Sequence, residues 1–255
     1  MQNHKALITG ASSGIGRVFA KELAREGYRV TCIARNQDRL NELVNELGGE
    51  NRCIKADLTD PDDLSNVVRD IERTKYQLLI NNAGYGIYEK FENIPLEKTF
   101  NLIQLNINTL VQLSHVFIKN ASSGDALMNV SSLLSLIPYP GGAVYSGTKA
   151  FVTNFTEALW YECKDKDIYV MALLPGATDT NFLKIATGEN YNNPGGMSYP
   201  PEIVVKEAIA SLRTRRKPSV ISGLRFRFLA AITTRLLSRK QVIEIMGKNS
   251  PGMKK

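Results

Sequence analysis

Three glycines within eight residues, set between an apolar run and an amphipathic one, constrain this chain more than any other feature. Ala6-Leu7-Ile8 reads as a short buried strand, while Ile15, Phe19 and Leu23, with Ala20 and Ala24 beside them, recur at helical spacing. Between them lies Thr9-Gly10-Ala11-Ser12-Ser13-Gly14-Ile15-Gly16. A strand feeding a helix through such a loop aims several backbone N–H groups, and the positive end of a helix dipole, at one spot. A pyrophosphate suits that spot. Glycine permits the sharp turn, lets the backbone approach a ligand without a Cβ, and lets helix and strand pack closely. The spacing is G-x-x-x-G-x-G, not the G-x-G-x-x-G of the general dinucleotide fingerprint. On its own the loop also fits an ordinary tight strand-to-helix turn.

The rest of the chain repeats the alternation. Further strands are expected at 28–34, 52–56, 78–80, 126–130, 168–174 and 219–221. Helices are expected at 39–47, 62–71, 96–119, 143–164 and 202–213, with Asp60 and Pro61 in place to start the second of these. Near-continuous Val, Ile and Leu in strands separated by helices indicate an α/β fold: a doubly wound, Rossmann-type parallel sheet of about seven strands, helices on both faces. No Pro/Ser-rich linker or internal repeat divides it. Residues 1–223 therefore read as a single dinucleotide-binding and catalytic domain, and 224–255 as a basic helical C-terminal extension.

Composition narrows the class. At 43% hydrophobic and 22% charged, the 255 residues have ordinary globular character. No apolar run reaches the roughly eighteen residues of a bilayer-spanning helix, and the first strand starts too early for a signal peptide to be expected. Cys32, Cys53 and Cys163 form no C-x-x-C pair, which suits reduced thiols and a cytoplasmic location. His4 and His115 stand in no metal-ligand spacing with them, so no metal site is expected. The net charge of +7 hides an asymmetry. Residues 213–255 hold 12 of the 32 Lys and Arg but only one acid, Glu244; the remainder is slightly acidic.

Ligands of a doubly wound sheet bind outside the carboxyl ends of its strands. After successive strands stand the glycine loop, Arg35, Asp57-Leu58, Asn81-Asn82-Ala83-Gly84, Ser131-Ser132 and Pro175-Gly176. Tyr145 and Lys149, four apart on an expected helix, share one face. An ammonium near a phenol favours the phenolate, lowering a pKa that is ordinarily ~10 and equipping Tyr145 to exchange protons near neutral pH. Ser132, at a strand end, can hold the same oxygen atom. Y-x-x-x-K alone also describes a surface pair.

Together, Thr9-Gly10 through Gly16, Asn81-Asn82-Ala83-Gly84, Ser132, Tyr145-x-x-x-Lys149 and Pro175-Gly176-x-x-x-Thr180 give the chain a pattern that resembles the short-chain dehydrogenases/reductases. The likeness is to their single-domain, NADP-preferring branch and runs from about Lys5 to Ile221. It implies that Tyr145 is the catalytic acid/base, that Lys149 lowers its pKa and holds the nicotinamide ribose, and that Ser132 orients the carbonyl. It also implies that Asn106, rather than Asn108, supports a water-linked proton path to the lysine. Gly10, Ser12, Ser13, Gly14, Ile15 and Gly16 would cradle the pyrophosphate. Asn82, Ala83 and Gly84 would line the cofactor ribose. Asp57 would meet the adenine through its side chain and Leu58 through its backbone. Pro175, Gly176, Thr178 and Thr180 would surround the nicotinamide amide and pyrophosphate. At the second strand's end Ala34 offers no carboxylate to a ribose 2′-OH, whereas Arg35 suits a 2′-phosphate, which favours NADP(H). Ser13 stands where some NADP-preferring relatives carry a basic residue.

The expected reaction is hydride transfer between NADP(H) and a secondary alcohol or ketone, with an apolar or acyl-like substrate. A non-catalytic NADP-binding regulator, the alternative, would typically have lost Ser132, Tyr145 or Lys149; an epimerase or dehydratase would carry a larger C-terminal domain. Residues 181–200, rich in Gly, Pro and Asn, resemble the family's lid, with Phe182, Tyr191 and Met197 as candidate pocket residues and 85–91 as another wall. A homo-oligomer is expected; a nucleic-acid partner is not. The tail, 224–246, places Phe228, Leu229, Ile232, Leu236 and Ile243 near helical spacing with arginines between them. It reads as a helix packed on the domain or on a subunit neighbour in preference to one lying on an anionic membrane, because Arg225 and Lys240 fall on the apolar side.

Overall fold

Seven strands form one all-parallel sheet in the order β3-β2-β1-β4-β5-β6-β7. The structure is a computed structural model describing residues 4–188 and 198–253. The strands are β1 (Lys5–Thr9), β2 (Arg29–Ala34), β3 (Arg52–Lys55), β4 (Leu78–Asn81), β5 (Ala126–Val130), β6 (Tyr169–Leu174) and β7 (Ser219–Ile221). Each lies within a residue or two of its expected place. The strand order reverses between β1 and β4, and there the carboxyl ends open a crevice.

The alternation of a strand sends Leu7 to one face and Ala6 and Ile8 to the other. Ala6, Ile8, Val30, Cys32, Ile80, Met128 and Met171 are buried beneath α1 (Gly14–Arg25), α2 (Gln37–Leu47) and α8 (Pro201–Thr214). On the opposite face Leu7, Ile33, Leu79, Leu127 and Val170 pack under α3 (Pro61–Arg73), α5 (Leu110–Asn120) and α6 (Ala143–Glu162). Because both faces are covered, the strands can be apolar throughout. Two buried asparagines tie the sheet to its helices. Asn81 Nδ2 donates to Asn129 Oδ1 (2.9 Å) and Ser114 Oγ (3.1 Å), and Asn129 Nδ2 donates to Thr156 Oγ1 (3.0 Å).

Two expected helices are broken. The span 96–119 contains α4 (Leu96–Ile103), one widened π turn (Gln104–Thr109) and α5. The turn admits an extra residue where Asn106 is drawn inward by the backbone of Tyr85. The tail forms α9 (Leu224–Arg235) and α10 (Arg239–Asn249), separated because Ser238 and Gln241 make a capping box that starts a new helix. The tail does pack on the domain, through Leu229 as its spacing suggested but otherwise through different residues. Phe226, Ala230, Thr233 and Val242 are buried, while Phe228 and Leu236 face outward. Beyond α10, Ser250–Gly252 is buried, and Gly252 sits so close to Gly141 and Tyr88 that a Cβ would collide with their backbone. α7 (Phe182–Thr187) completes the described elements.

The start of α3 gives a measure of local stabilisation. Asp60 accepts from the N–H groups of Asp62 and Asp63, both at 3.0 Å, with Pro61 at the first helical position. Asp60→Ala removes both bonds and is expected to cost about 1 kcal/mol, read as a lower urea midpoint at unchanged slope.

Candidate active site

The glycine loop is locked before any ligand arrives. Gly10 and Gly14 adopt φ of +67° and +54°, backbone that a side chain would strain. Asn82 Nδ2 donates to the carbonyls of Thr9 (3.0 Å) and Gly10 (3.2 Å), and Thr9 Oγ1 accepts from the N–H groups of Asn82 and Ala83 (both 3.0 Å). These bonds pin the ends of β1 and β4 together at the crevice. Ser13 precedes α1 without capping it by its side chain, so the first-turn N–H groups of Gly14, Ile15 and Gly16 have no side-chain acceptor. Ser12 is half-buried beside them. An uncapped helix start behind a Cβ-free backbone fits an anionic group.

Across the cleft lies the chain after β6. A Cβ on Gly14 would stand 3.1 Å from Thr180 Cγ2, so the two walls nearly touch. Thr178 Oγ1 donates to Gly176 O (3.0 Å), and Thr180 Oγ1 accepts from the N–H of Phe182 (3.2 Å). Pro175 O accepts from Leu133 N (2.8 Å), joining this wall to the chain after β5. Gly176 has its own constraint: the ring of Phe226, from α9, occupies the space a Cβ would need.

Arg35 stands at the cleft's rim, its side chain 79% exposed, 3.8 Å from Asp57 Oδ2. Asp57, expected to meet the adenine, already accepts through Oδ1 from Thr59 N (3.0 Å) and Thr59 Oγ1 (2.7 Å). Burial opposes its charge, but the Thr59 bonds and the Arg35 guanidinium together hold its carboxyl below the usual range. Leu58 is buried, and its carbonyl accepts from Thr109 Oγ1 at 2.7 Å.

Ser132, Tyr145 and Lys149 converge beyond β5. Ser132 starts a 3-10 turn (Leu133–Leu136), accepts from Leu134 N (3.1 Å), and stands near enough to the Tyr145 hydroxyl to favour its charged form. Tyr145 and Lys149 lie on α6, and both are buried. Lys149 Nζ donates to Val130 O (2.8 Å) and lies 5.9 Å from the centre of the Tyr145 ring. Here the expected electrostatics need correction. Burial pushes the Tyr145 phenol up to about 12, with the nearby Ser132 hydroxyl pulling the other way. Burial also depresses the Lys149 ammonium, to about 8. In a dry site desolvation outweighs a cation at this separation.

Asn106 is wholly buried, and Asn108 is exposed, bonding Gln104. Asn106 Nδ2 donates to Tyr85 O (3.0 Å) and Thr148 Oγ1 (3.1 Å), and its Oδ1 accepts from Tyr85 N (3.2 Å). It meets Lys149 above Gly84, where a Cβ would lie 2.9 Å from Asn106 Oδ1 and 3.4 Å from Lys149 Nζ.

Sequence reasoning missed two supports of this centre. Ser131 Oγ donates to Lys149 O (2.8 Å) and shares a bond with Thr153 (2.7 Å), fixing the α6 turn that carries the lysine. Tyr88 presents its ring to Tyr145 edge-on, centroids 5.9 Å apart, while Phe182 covers it from α7 at 5.4 Å. The wall expected over 85–91 therefore forms at Tyr88; Phe91 points outward. Tyr191 and Met197 lie outside the described residues. Among the described residues no group of His, Cys, Asp and Glu could hold a metal ion, and no helix is long and apolar enough to cross a membrane.

Known proteins resemble this chain in sequence and fold. The short chain dehydrogenase family matches residues 4–190. The very-long-chain 3-oxoacyl-CoA reductase of Mus musculus is 32% identical, over 86% of this chain and 72% of its own length. A short-chain dehydrogenase from Sphingobium yanoikuyae, solved in complex with NADPH, is 31% identical and covers 91% of this chain and 93% of its own with a TM-score of 0.82. A 7beta-hydroxysteroid dehydrogenase structure covers 96% of both chains at 26% identity and a TM-score of 0.85. With the family match running through the glycine loop, Ser132, Tyr145 and Lys149, this chain belongs to the short-chain dehydrogenase/reductase family and is an oxidoreductase of that family.

Proposed function

We propose that the protein is an NADP(H)-dependent carbonyl reductase that interconverts a bulky, apolar or acyl-like ketone and its secondary alcohol. The observation that carries the reaction is the convergence of the buried Ser132, Tyr145 and Lys149 side chains against an aromatic enclosure. The Ser132 and Tyr145 hydroxyls so placed form a paired anchor for one substrate oxygen. When bound, the nicotinamide supplies the hydride. Tyr145, protonated far above neutral pH, gives its proton to the oxygen on which negative charge grows. Ser132 holds that oxygen in line. Lys149, still largely an ammonium at pH 7, faces the negative charge that proton transfer leaves on Tyr145. Asn106 positions Thr148, the residue before Lys149, and thereby the turn that carries it.

The cofactor fits by the cradle's own chemistry. Gly10 and Gly14 supply close backbone approach, and the α1 start supplies N–H groups for a pyrophosphate. Asn82, Ala83 and Gly84 would face the ribose, and Pro175, Gly176, Thr178 and Thr180 the nicotinamide end. Arg35, mostly exposed with only a distant partner in Asp57, is available to a 2′-phosphate.

The aromatic cover of Tyr88, Tyr139 and Phe182 supports an apolar substrate. So do the names of similar proteins, a 3-oxoacyl-CoA reductase and a 7beta-hydroxysteroid dehydrogenase. Exposed rings of Phe100 and Phe151 on the adjoining α4 and α6 support a homo-oligomer. Three free thiols fit a cytoplasmic location.

NADPH oxidation across long-chain 3-oxoacyl thioesters and steroid ketones tests the reading. Tyr145→Phe is expected to keep NADPH binding, read by fluorescence, and to lower kcat by about 10²–10⁴-fold; retained turnover would exclude the mechanism. Arg35→Ala is expected to raise KM for NADPH by about ten- to a hundredfold and to leave NADH nearly unaffected. An unchanged cofactor preference would reject the role given to Arg35.

A further inference from the structure

Helix α9 has two unlike sides. Inward, Phe226 packs on Gly176 and Tyr199, and Ala230 and Thr233 are buried behind it. Outward, Leu224, Phe228, Ala231 and Arg235 follow one another at spacings of four, three and four, so they form one stripe. Leu224 is 74% exposed and Phe228 70%, and Leu236, just past the helix end, is 76% exposed. Large apolar side chains this bare on adjoining turns form a patch, and patches of this kind mark interaction surfaces. Ile243 and Ile245 of α10 are exposed as well.

The patch is bordered by unmatched charge. Arg227 pairs with Glu207 at 2.7 Å, and Lys240 lies 4.0 Å from Glu244. Arg225, Arg235 and Arg239 make no ion pair among the described residues. The segment 213–255 contains a single acid beside its twelve bases, so these exposed cations are open to a partner that brings negative charge.

From this juxtaposition we infer that the outer face of α9 docks on an anionic lipid bilayer. Leu224, Phe228 and Leu236 enter the acyl boundary while Arg225, Arg235 and Arg239 meet the headgroups. A second copy of this chain is a poorer occupant. A twofold contact through the same face would set these arginines against their own copies. Nucleic acid offers phosphate but nothing for three bare apolar side chains. Docking would place the site beside the bilayer, because Phe226 on the same helix packs against the chain that follows β6.

The inference goes beyond the proposed reaction and does not depend on it, since its test reads lipid binding alone. Full-length protein is sedimented with vesicles of phosphatidylcholine, and with vesicles of phosphatidylcholine and phosphatidylserine at about two to one. Binding is expected to the mixed vesicles only, and added salt should release it. Phe228→Asp and Leu224→Asp are each expected to weaken binding by about tenfold or more, and Arg225→Ala with Arg235→Ala by a similar factor. All four positions are exposed, so melting temperatures should stay within about 2 °C of the parent. No binding, equal binding to neutral vesicles, or binding indifferent to Phe228→Asp would overturn the inference. So would a dimer in sedimentation velocity that Phe228→Asp splits, since a second copy would then own the face.

Discussion

A phenol and an ammonium one helical turn apart, both shut away from water, are the constraint on which this structure turns. Keeping Tyr145 and Lys149 dry displaces each from its ordinary pKa, to about 12 and about 8. Each displacement corresponds to about 3 kcal/mol of disfavoured charge. Such a pair persists only where polar partners are fixed in advance. Val130 O receives the ammonium, Ser132 stands by the phenol, and Ser131 and Thr148 bond the α6 carbonyls of Lys149 and Tyr145. The sheet exists, in this sense, to bring β5's last carbonyl and the following serines to one end of α6.

The cleft has the same logic on its other side. Asn82 binds the first two carbonyls of the glycine loop, so the loop's shape is held by the neighbouring strand and does not await a ligand. Gly84, one turn further, must lack a Cβ because Asn106 and Lys149 crowd above it. The dinucleotide cradle and the proton-handling pair are thus parts of a single packed unit, linked through residues 82–84. Ordering the cradle in advance spares the binding step that conformational cost.

Much of this was legible because the signals were local. Strand runs of Val, Ile and Leu, a capping aspartate before Pro61, and glycines at a turn each act within a few residues. The π turn around Asn106 was not legible. Its cause is a pair of hydrogen bonds to Tyr85, twenty-one residues away, and helical periodicity across 96–119 continues as if nothing intervened. Tyr88 was hidden for a like reason, since only the fold brings its ring to Tyr145. The break in the tail was in principle readable: Ser238 and Gln241 are a capping pair at the right spacing, overshadowed by the apolar run across it. The direction of the phenol's shift failed on physics, not pattern. Proximity of charges could be inferred from i, i+4 spacing, but the extent of burial, which decides the sign, could not.

Burial sets the charge states of the pair proposed to be catalytic, and direct titration of Lys149 tests this most directly. NMR of the full-length protein with ¹³Cε-labelled lysines, with Lys149→Arg identifying the resonance, would follow the ammonium alone. One lysine should titrate near pH 8, far below its neighbours, and that signal should vanish in the variant. If Lys149 titrated with the bulk of the lysines, above pH 10, the pair would not be desolvated as described. The account of how this site holds and releases its proton would then fail.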